Sequence, residues 1–344
     1  MQSEYDVVVI GGGAAGLSAA LTLSRARRRV LVVDAGNPRN APAGHVHNYL
    51  GRENTPPGEL LAIGREEVGL YGGEIHPGTV TAVRPGPDSA PDSGPGPDSG
   101  PGPDSGSDSG SGSGGTEQHG RGEHGSQQPR FVVELADGTT VGARRVLVTT
   151  GLVDELPDIP GVAEHWGGRV LHCPYCHGWE VRDRPVAILG VSAMSAHQAL
   201  LWRQWTPDVT LLLHTAPAPT DDELAKFARR GIRIVEGEVT GFGADGARLA
   251  DGTLVPVDAL VLMSRVEARA DALAPLGLKP VDFEVNGHRF GTHLPSGPGG
   301  ATTVPGLYVA GNVTDPMATV IAAAAAGVST AGMLNMDLVM EDAA

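Results

Sequence analysis

Tyr5-Asp6-Val7-Val8-Val9-Ile10-Gly11-Gly12-Gly13-Ala14-Ala15-Gly16 is the stretch on which the fold turns. A β-branched apolar run enters a Gly-x-Gly-x-x-Gly turn, residues 14–27 then carry apolar side chains at helical spacing, and residues 29–33 form a second strand closed by Asp34. Strand, glycine turn, helix, strand and acid in this order are the fingerprint of a dinucleotide-binding βαβ unit. The first glycine permits the tight turn, the second lets backbone approach a pyrophosphate, and the third lets the helix pack on the strand. An ordinary βαβ unit with a glycine-rich turn would leave Asp34 without a role.

The second landmark is Cys173-Pro174-Tyr175-Cys176-His177, which holds the only two cysteines of the 344-residue chain. A thiolate attacks and its neighbour resolves, so two cysteines three apart suit redox exchange. A nucleotide-bound electron carrier beside a vicinal dithiol outlines a flavin-disulfide oxidoreductase. Other readings of the same residues are weaker. A c-type haem attachment site would need export and would leave the nucleotide fingerprint idle. A zinc site needs two further ligands, and His172 with His177 crowds rather than completes a tetrahedron. Two merely buried small hydrophobes would make the intervening Pro-Tyr a coincidence.

Composition narrows the class. The length allows two domains of ordinary size, and 40% hydrophobic residues supply the cores. Aromatics are only 4%, so the cores rest on Ala, Val, Leu and close backbone contacts, as in an α/β enzyme. A net charge of −15, with Lys226 and Lys279 the only lysines, speaks against nucleic acid as a partner, because that affinity comes from cations on phosphates. An apolar strand begins at Tyr5 with no signal peptide ahead of it, and a cytoplasmic enzyme is expected. The apolar residues 317–340 are Ala-dominated and broken by Thr, Ser, Asn and Asp, which reads as a buried helix and not a membrane span.

Residues 86–129 repeat Gly-Pro-Asp-Ser before a Gly-, Ser- and His-containing tail, with seven acids against one arginine. Such a composition cannot bury enough apolar surface to offset chain entropy and is expected to be disordered. Strand-like residues 79–83 and 131–135 flank it, so it reads as an insertion at a surface hairpin. Past Thr149-Thr150-Gly151 a second α/β pattern runs through residues 185–189, 196–205, 209–213, 232–235 and 258–263. Residues 306–312 are again a strand into a glycine turn.

With these four landmarks in order, the chain resembles the low-molecular-weight thioredoxin reductases and their flavin-dependent dithiol oxidase relatives of the gliotoxin and holomycin type. The resemblance covers everything except the 86–129 insertion. It implies an α/β fold of two Rossmann-like three-layer nucleotide-binding domains, the second inserted into the first: an FAD domain over 1–155 and 266–344, and a dithiol-carrying domain over 156–265. It also implies a homodimer. FAD would lie with its pyrophosphate on Gly11, Gly13, Ala14, Ala15 and Gly16, its ribose on Asp34, and its isoalloxazine near Asn48, Gly311, Asn312, Thr319 and Val320. Cys176 would face the flavin C4a and Cys173 would meet the substrate. The family usually has Glu at Asp34 and Asp at Asn312. The helix after Pro316 would direct its positive end at the flavin pyrimidine.

His177 stands where thioredoxin reductases usually carry Asp, and an imidazole can take the proton a substrate thiol must lose. This leans toward the dithiol oxidase branch. So does the second nucleotide turn, Gly190-Val191-Ser192-Ala193-Met194-Ser195, where Ser192 replaces the glycine that admits pyrophosphate. The next strand ends at His214 with neither arginine nor acid for a ribose, which makes NADPH binding doubtful. The expected activity is oxidation of a substrate dithiol, either a small metabolite or a thioredoxin-like protein, with electrons passing through Cys173 and Cys176 to flavin and oxygen. The alternatives are an NADPH-dependent disulfide reductase running the relay backwards and a non-enzymatic flavin redox sensor.

Overall fold

The computed structural model describes residues 1–87, 129–285 and 287–344. Its first sheet grows from the fingerprint. The chain runs through β1 (Glu4–Ile10), α1 (Ala14–Arg25), β2 (Val30–Asp34), α2 (Pro57–Leu70), β3 (Glu74–Pro77), β4 (Val80–Pro85), β5 (Phe131–Leu135) and β6 (Thr140–Val148). The strand order is β3-β2-β1-β6-β5-β4, and β6 also pairs with the late strand β19 (Leu307–Val309). β3, β2, β1, β6 and β19 are parallel, whereas β4 and β5 add antiparallel.

Side chains alternate across a strand, so a sheet buried on both faces must be apolar at every position. β1 meets this: Val8 and Ile10 join one core with Val83, Phe131 and Val133, while Val7 and Val9 join another with Leu17, Leu23 and Leu334. The second of these cores lies under α1 and α6 (Val320–Asp342). α6 ends in Asp337, Glu341 and Asp342, acids that a helix C-terminus disfavours. Arg144 and Arg145 of β6 offset this. Arg145 Nε donates to Asp337 at 2.6 Å and Nη2 to Glu341, and Arg144 Nη2 donates to Asp342 at 2.5 Å.

The chain leaves the first sheet through β7 (Leu152–Glu155). It then forms β8 (Val170–Leu171), α3 (Pro174–His177), β9 (Val186–Leu189), α4 (Met194–Trp202), β10 (Val209–Leu212), α5 (Asp221–Arg230) and β11 (Arg233–Val235). β12 (Val239–Gly243), β13 (Gly246–Leu249), β14 (Leu254–Val255) and β15 (Ala259–Val261) follow. A parallel sheet β11-β10-β9-β15-β8 is covered on one face by α4 and α5 and on the other by the antiparallel β12-β13-β14. α5 carries a full capping box, Thr220 with Glu223, and closes on Gly231 at φ +66°.

The return strand β16 (Arg265–Ala268) pairs antiparallel with β7, and β17 (Val281–Val285) and β18 (His288–His293) complete that sheet. The fold is therefore α/β as the sequence implies, with α1 and α6 against one face of the first sheet, β4 and β5 extending that sheet antiparallel, and β12–β14 against a face of the second. The two small additional sheets, β12-β13-β14 and β17-β18-β16-β7, carry no clear alternation and were not separable by pattern.

One expectation needs correction. Residues 317–340 read as a buried helix, but only one face of α6 is buried, through Ala323, Ala324, Gly327, Thr330, Ala331, Leu334 and Leu338. Ile321, Val328, Met333, Met336, Val339 and Met340 are exposed. The alanine run hides the asymmetry, because Ala suits either face. Among the described residues α6 is also the one helix long and apolar enough, by length and composition, to cross a membrane.

The expected insertion at 86–129 falls, over 88–128, outside the described residues. Its flanks do form the expected hairpin: Pro85 pairs with Phe131, and Gly86 N–H donates to the Arg130 carbonyl at 2.7 Å. Because these ends already meet, replacing 88–128 with a short turn should leave FAD content unchanged and move the melting temperature little, since loop length enters closure entropy only logarithmically. Flavin absorbance per chain and a thermal melt check this.

Candidate active site

α1 begins at Gly13 and α6 at Thr319, neither with a side-chain cap, so the first amide N–H groups of both helices stay free for a ligand. Both starts border one cavity of about 470 Å³ that reaches from the glycine turn to the dithiol.

The glycines divide the work. Gly11 sits at φ +104°, and a Cβ there would lie 2.6 Å from the Thr149 carbonyl. Gly16 packs against the Gly11 carbonyl and Thr149 Oγ1, and Gly311, at φ +78°, would bring a Cβ to 2.7 Å from Ala15 Cβ. Gly13 has nothing within 4 Å of its Cβ direction and faces the open cavity. Gly11, Gly13, Ala14 and Ala15 line the cavity; Gly16 and Gly311 lie behind it as packing. Asp34 lines it at the end of β2, and a Cβ on Gly12 would strike its carboxyl group. This cradle, open only where a pyrophosphate needs backbone, fits FAD.

At the other end Asn48, Asn312, Thr319 and Val320 line the same cavity. Asn312 explains its own departure from the usual Asp. Its Nδ2 faces three carbonyls of the loop before α6, at 3.1 Å (Asp315), 3.5 Å (Pro316) and 2.9 Å (Ala318), where a carboxylate would meet only acceptors. Asn48 Nδ2 is turned away from the nucleotide end and donates to the Tyr175 carbonyl at 2.6 Å.

The dithiol is carried by α3, a single turn begun by Cys173 and Pro174. Gly178 follows because the turn abuts Trp205, whose ring would lie 2.8 Å from any Cβ there. Cys176 and His177 line the cavity; Cys173 does not. Both cysteines are free thiols and half-buried. They are electrostatically unequal. The Cys176 thiol donates to the Cys173 sulfur, against the opposing effect of burial, and the N–H groups of Cys176 and Tyr175 add to this, so Cys173 is held down to about 7. The same bond, with burial, pushes Cys176 well above the usual thiol range. Burial lowers His177, partly opposed by Glu180, which favours its neutral imidazole.

Two elements here were not read from sequence. Arg39, in the loop after β2, binds Asp154 of β7 through Nε and Nη2, both at 2.7 Å, and Ser264 Oγ donates to the same carboxylate at 2.7 Å. His172, weighed above only as a metal ligand, lies on the cavity wall and stacks on Trp166 at 5.7 Å; burial pushes it down to about 4. Among the described residues no cluster of His, Cys, Asp and Glu could hold a metal. The partners of Arg39 are too distant in sequence for any local signal to reveal.

The second nucleotide turn is closed on itself. Ser195 Oγ accepts from the N–H groups of Val191 (3.2 Å) and Ser192 (3.4 Å), and the Gly190 carbonyl accepts from Thr215 and Ala216. Ser192 Oγ is buried without a partner. His214 Nδ1 is occupied by the Val239 N–H at 3.0 Å.

A nucleotide cradle and a vicinal dithiol on one cavity define a flavin-dependent disulfide oxidoreductase. Residues 5–327 match the pyridine nucleotide-disulphide oxidoreductase family, and the chain belongs to it. It is an FAD-binding thiol-disulfide oxidoreductase of the thioredoxin reductase type. The crystal structure of HlmI superposes with a TM-score of 0.80 at 38% identity, covering 100% of this chain and 95% of that one. An oxidoreductase from Agrobacterium tumefaciens gives 0.80 at 29% identity, covering 98% and 99%. Thioredoxin reductase sirT of Leptosphaeria maculans is 27% identical over 99% of this chain and 97% of its own. A probable thioredoxin reductase of Arthroderma benhamiae is 32% identical over 55% of this chain, but that match spans only 38% of the fungal protein.

The Arg39–Asp154 pair generates a stability prediction. Asp154 is 7% exposed, so Asp154→Ala strands a largely buried guanidinium and should cost on the order of 3 kcal/mol, read as a lower midpoint in urea denaturation.

Proposed function

We propose that the chain is a dithiol oxidase that closes a substrate dithiol to a disulfide and delivers the electrons to oxygen. The observation that carries this reading is the second nucleotide turn, where Ser192 puts a side chain in place of the glycine that admits pyrophosphate and the Val191 and Ser192 N–H groups are already bonded to Ser195. The neutral His177 beside Cys176 supports it, because oxidation must take protons from substrate thiols.

In the oxidised enzyme a substrate thiolate attacks Cys173 Sγ. The Cys173–Cys176 bond breaks, its electron pair leaves on Cys176, and a mixed disulfide forms on Cys173. His177 takes the proton of the second substrate thiol, which attacks the sulfur of its own molecule and expels Cys173 as a thiolate. A low thiol pKa makes Cys173 a good leaving group in this step. The substrate departs as a disulfide, and the two electrons it lost remain on the Cys173–Cys176 dithiol. When bound, FAD would supply the two-electron acceptor for this pair, with oxygen as the final oxidant and peroxide as its product. Gly11, Gly13, Ala14, Ala15 and Asp34 would hold its nucleotide end, with Asn312, Thr319 and Val320 at the other. The substrate is a small dithiol metabolite or a thioredoxin-like protein. The same reading keeps the enzyme in a reducing, cytoplasmic compartment, and the exposed apolar face of α6 suits the homodimer that the resemblance implies.

Anaerobic stopped-flow mixing decides the direction: a vicinal dithiol should bleach the flavin within a turnover time and NADPH should not. Full bleaching by NADPH would make the chain a reductase, and no bleaching by either would leave a redox sensor. Small dithiols and a reduced thioredoxin, run in parallel, separate the two substrate classes.

The thiol roles predict trapping. Cys176→Ser should accumulate a mixed disulfide with a disulfide substrate, visible as added mass, while Cys173→Ser should not. His177→Ala should lower dithiol-driven turnover about a hundredfold. In the unsubstituted enzyme turnover should fall as acid protonates the depressed His177, and that limb of the pH profile should vanish in the variant.

A further inference from the structure

Asn48 stands in the left-handed region at φ +59°, which an L residue with a side chain seldom adopts. Its surroundings over-determine that conformation. Its N–H donates to Glu53 Oε2 at 2.8 Å, Glu53 Oε1 lies 2.6 Å from His47 Nδ1, and His47 Nε2 lies 3.5 Å from Glu180. The outcome of this bracing is one directed bond, from Asn48 Nδ2 to the Tyr175 carbonyl 127 residues away, at 2.6 Å. Only the amide nitrogen can face a carbonyl oxygen, so the side-chain orientation is not ambiguous.

The Tyr175 carbonyl belongs to the peptide plane that also carries the N–H of Cys176. In a trans peptide the two point in opposite directions. Drawing the oxygen toward Asn48 therefore turns the N–H back toward Cys173, where it donates to the Cys173 carbonyl at 3.2 Å and closes the turn that Cys173 heads. A hydrogen bond received at the oxygen also polarises the peptide and strengthens its N–H as a donor.

We propose that Asn48 is a positioning residue for the dithiol: by gripping the Tyr175 carbonyl, it holds the Cys176 amide toward Cys173 at the head of the turn and stabilises the Cys173 thiolate. This rests on the reading of Cys173 as the exchange sulfur and adds a role distinct from the flavin contact that the resemblance assigns to Asn48.

The test is the pH dependence of Cys173 alkylation by iodoacetamide in the FAD-loaded Cys176→Ser protein, which has one thiol and keeps a hydroxyl donor at 176. The ionisable groups near Cys173 are residue 176 itself, Arg39, and the imidazoles of His172 and His177, with Glu180 and His47 behind them. Asn48→Gly alters none of their charges, and glycine accepts the same φ without strain. Removing one hydrogen bond should raise the alkylation midpoint and slow the reaction about three- to tenfold at pH 6. Flavin absorbance and a melting curve on the same samples report folding and cofactor content. An unchanged midpoint overturns the proposal, whether or not FAD is lost, and reduces Asn48 to a flavin contact. A Cys176→Ser parent with an ordinary thiol midpoint overturns both the proposal and the exchange role of Cys173.

Discussion

The close approach of α1 and α6 is the constraint on which the rest of this molecule depends. Gly327 lies so near the Ala15 carbonyl that any side chain there would collide with it, and a Cβ on Gly311 would crowd Ala15 Cβ at 2.7 Å. Two helices that meet through Ala and Gly can bring their N-termini to the same cavity, with uncapped N–H groups from each. Larger residues would separate the axes and open the cradle between its nucleotide end and its dithiol end. The scarcity of aromatics and abundance of Gly and Ala in the composition are the sequence counterpart of this packing.

The dithiol depends on a different economy. α3 is too short to be stable alone, so its geometry is borrowed from neighbours: Trp205 below Gly178, the Asn48 loop beside Tyr175, and the Arg39–Asp154 pair near His172. These supports come from segments far apart in the chain. The inequality between the two sulfurs follows chiefly from the bond between them, in which the Cys176 thiol donates to the Cys173 sulfur.

The sequence disclosed what local chemistry encodes. The glycine turn, Asp34 and the cysteine pair are short motifs whose residue types are dictated by backbone approach or sulfur chemistry, and each lies on the cavity wall or directly behind it. Strands such as β1 and β9 were legible because burial on both faces demands unbroken apolar runs. β12–β14 and β17–β18 were not, since short, partly exposed strands carry neither a run nor a clear alternation. Arg39 and Asp154 are ordinary charged residues until the fold places them 2.7 Å apart. Asn312 could be flagged as a departure, but its cause, three converging carbonyls, exists only in three dimensions. α6 was read as a buried helix and is buried on one face, because alanine does not record which side faces a core.

The outward side of α6 carries a further chemical character. Met333, Met336 and Met340 lie among its exposed side chains, and thioethers become polar sulfoxides under oxidants. The greasiness of this surface is thus a property that peroxide can remove and a sulfoxide reductase can restore.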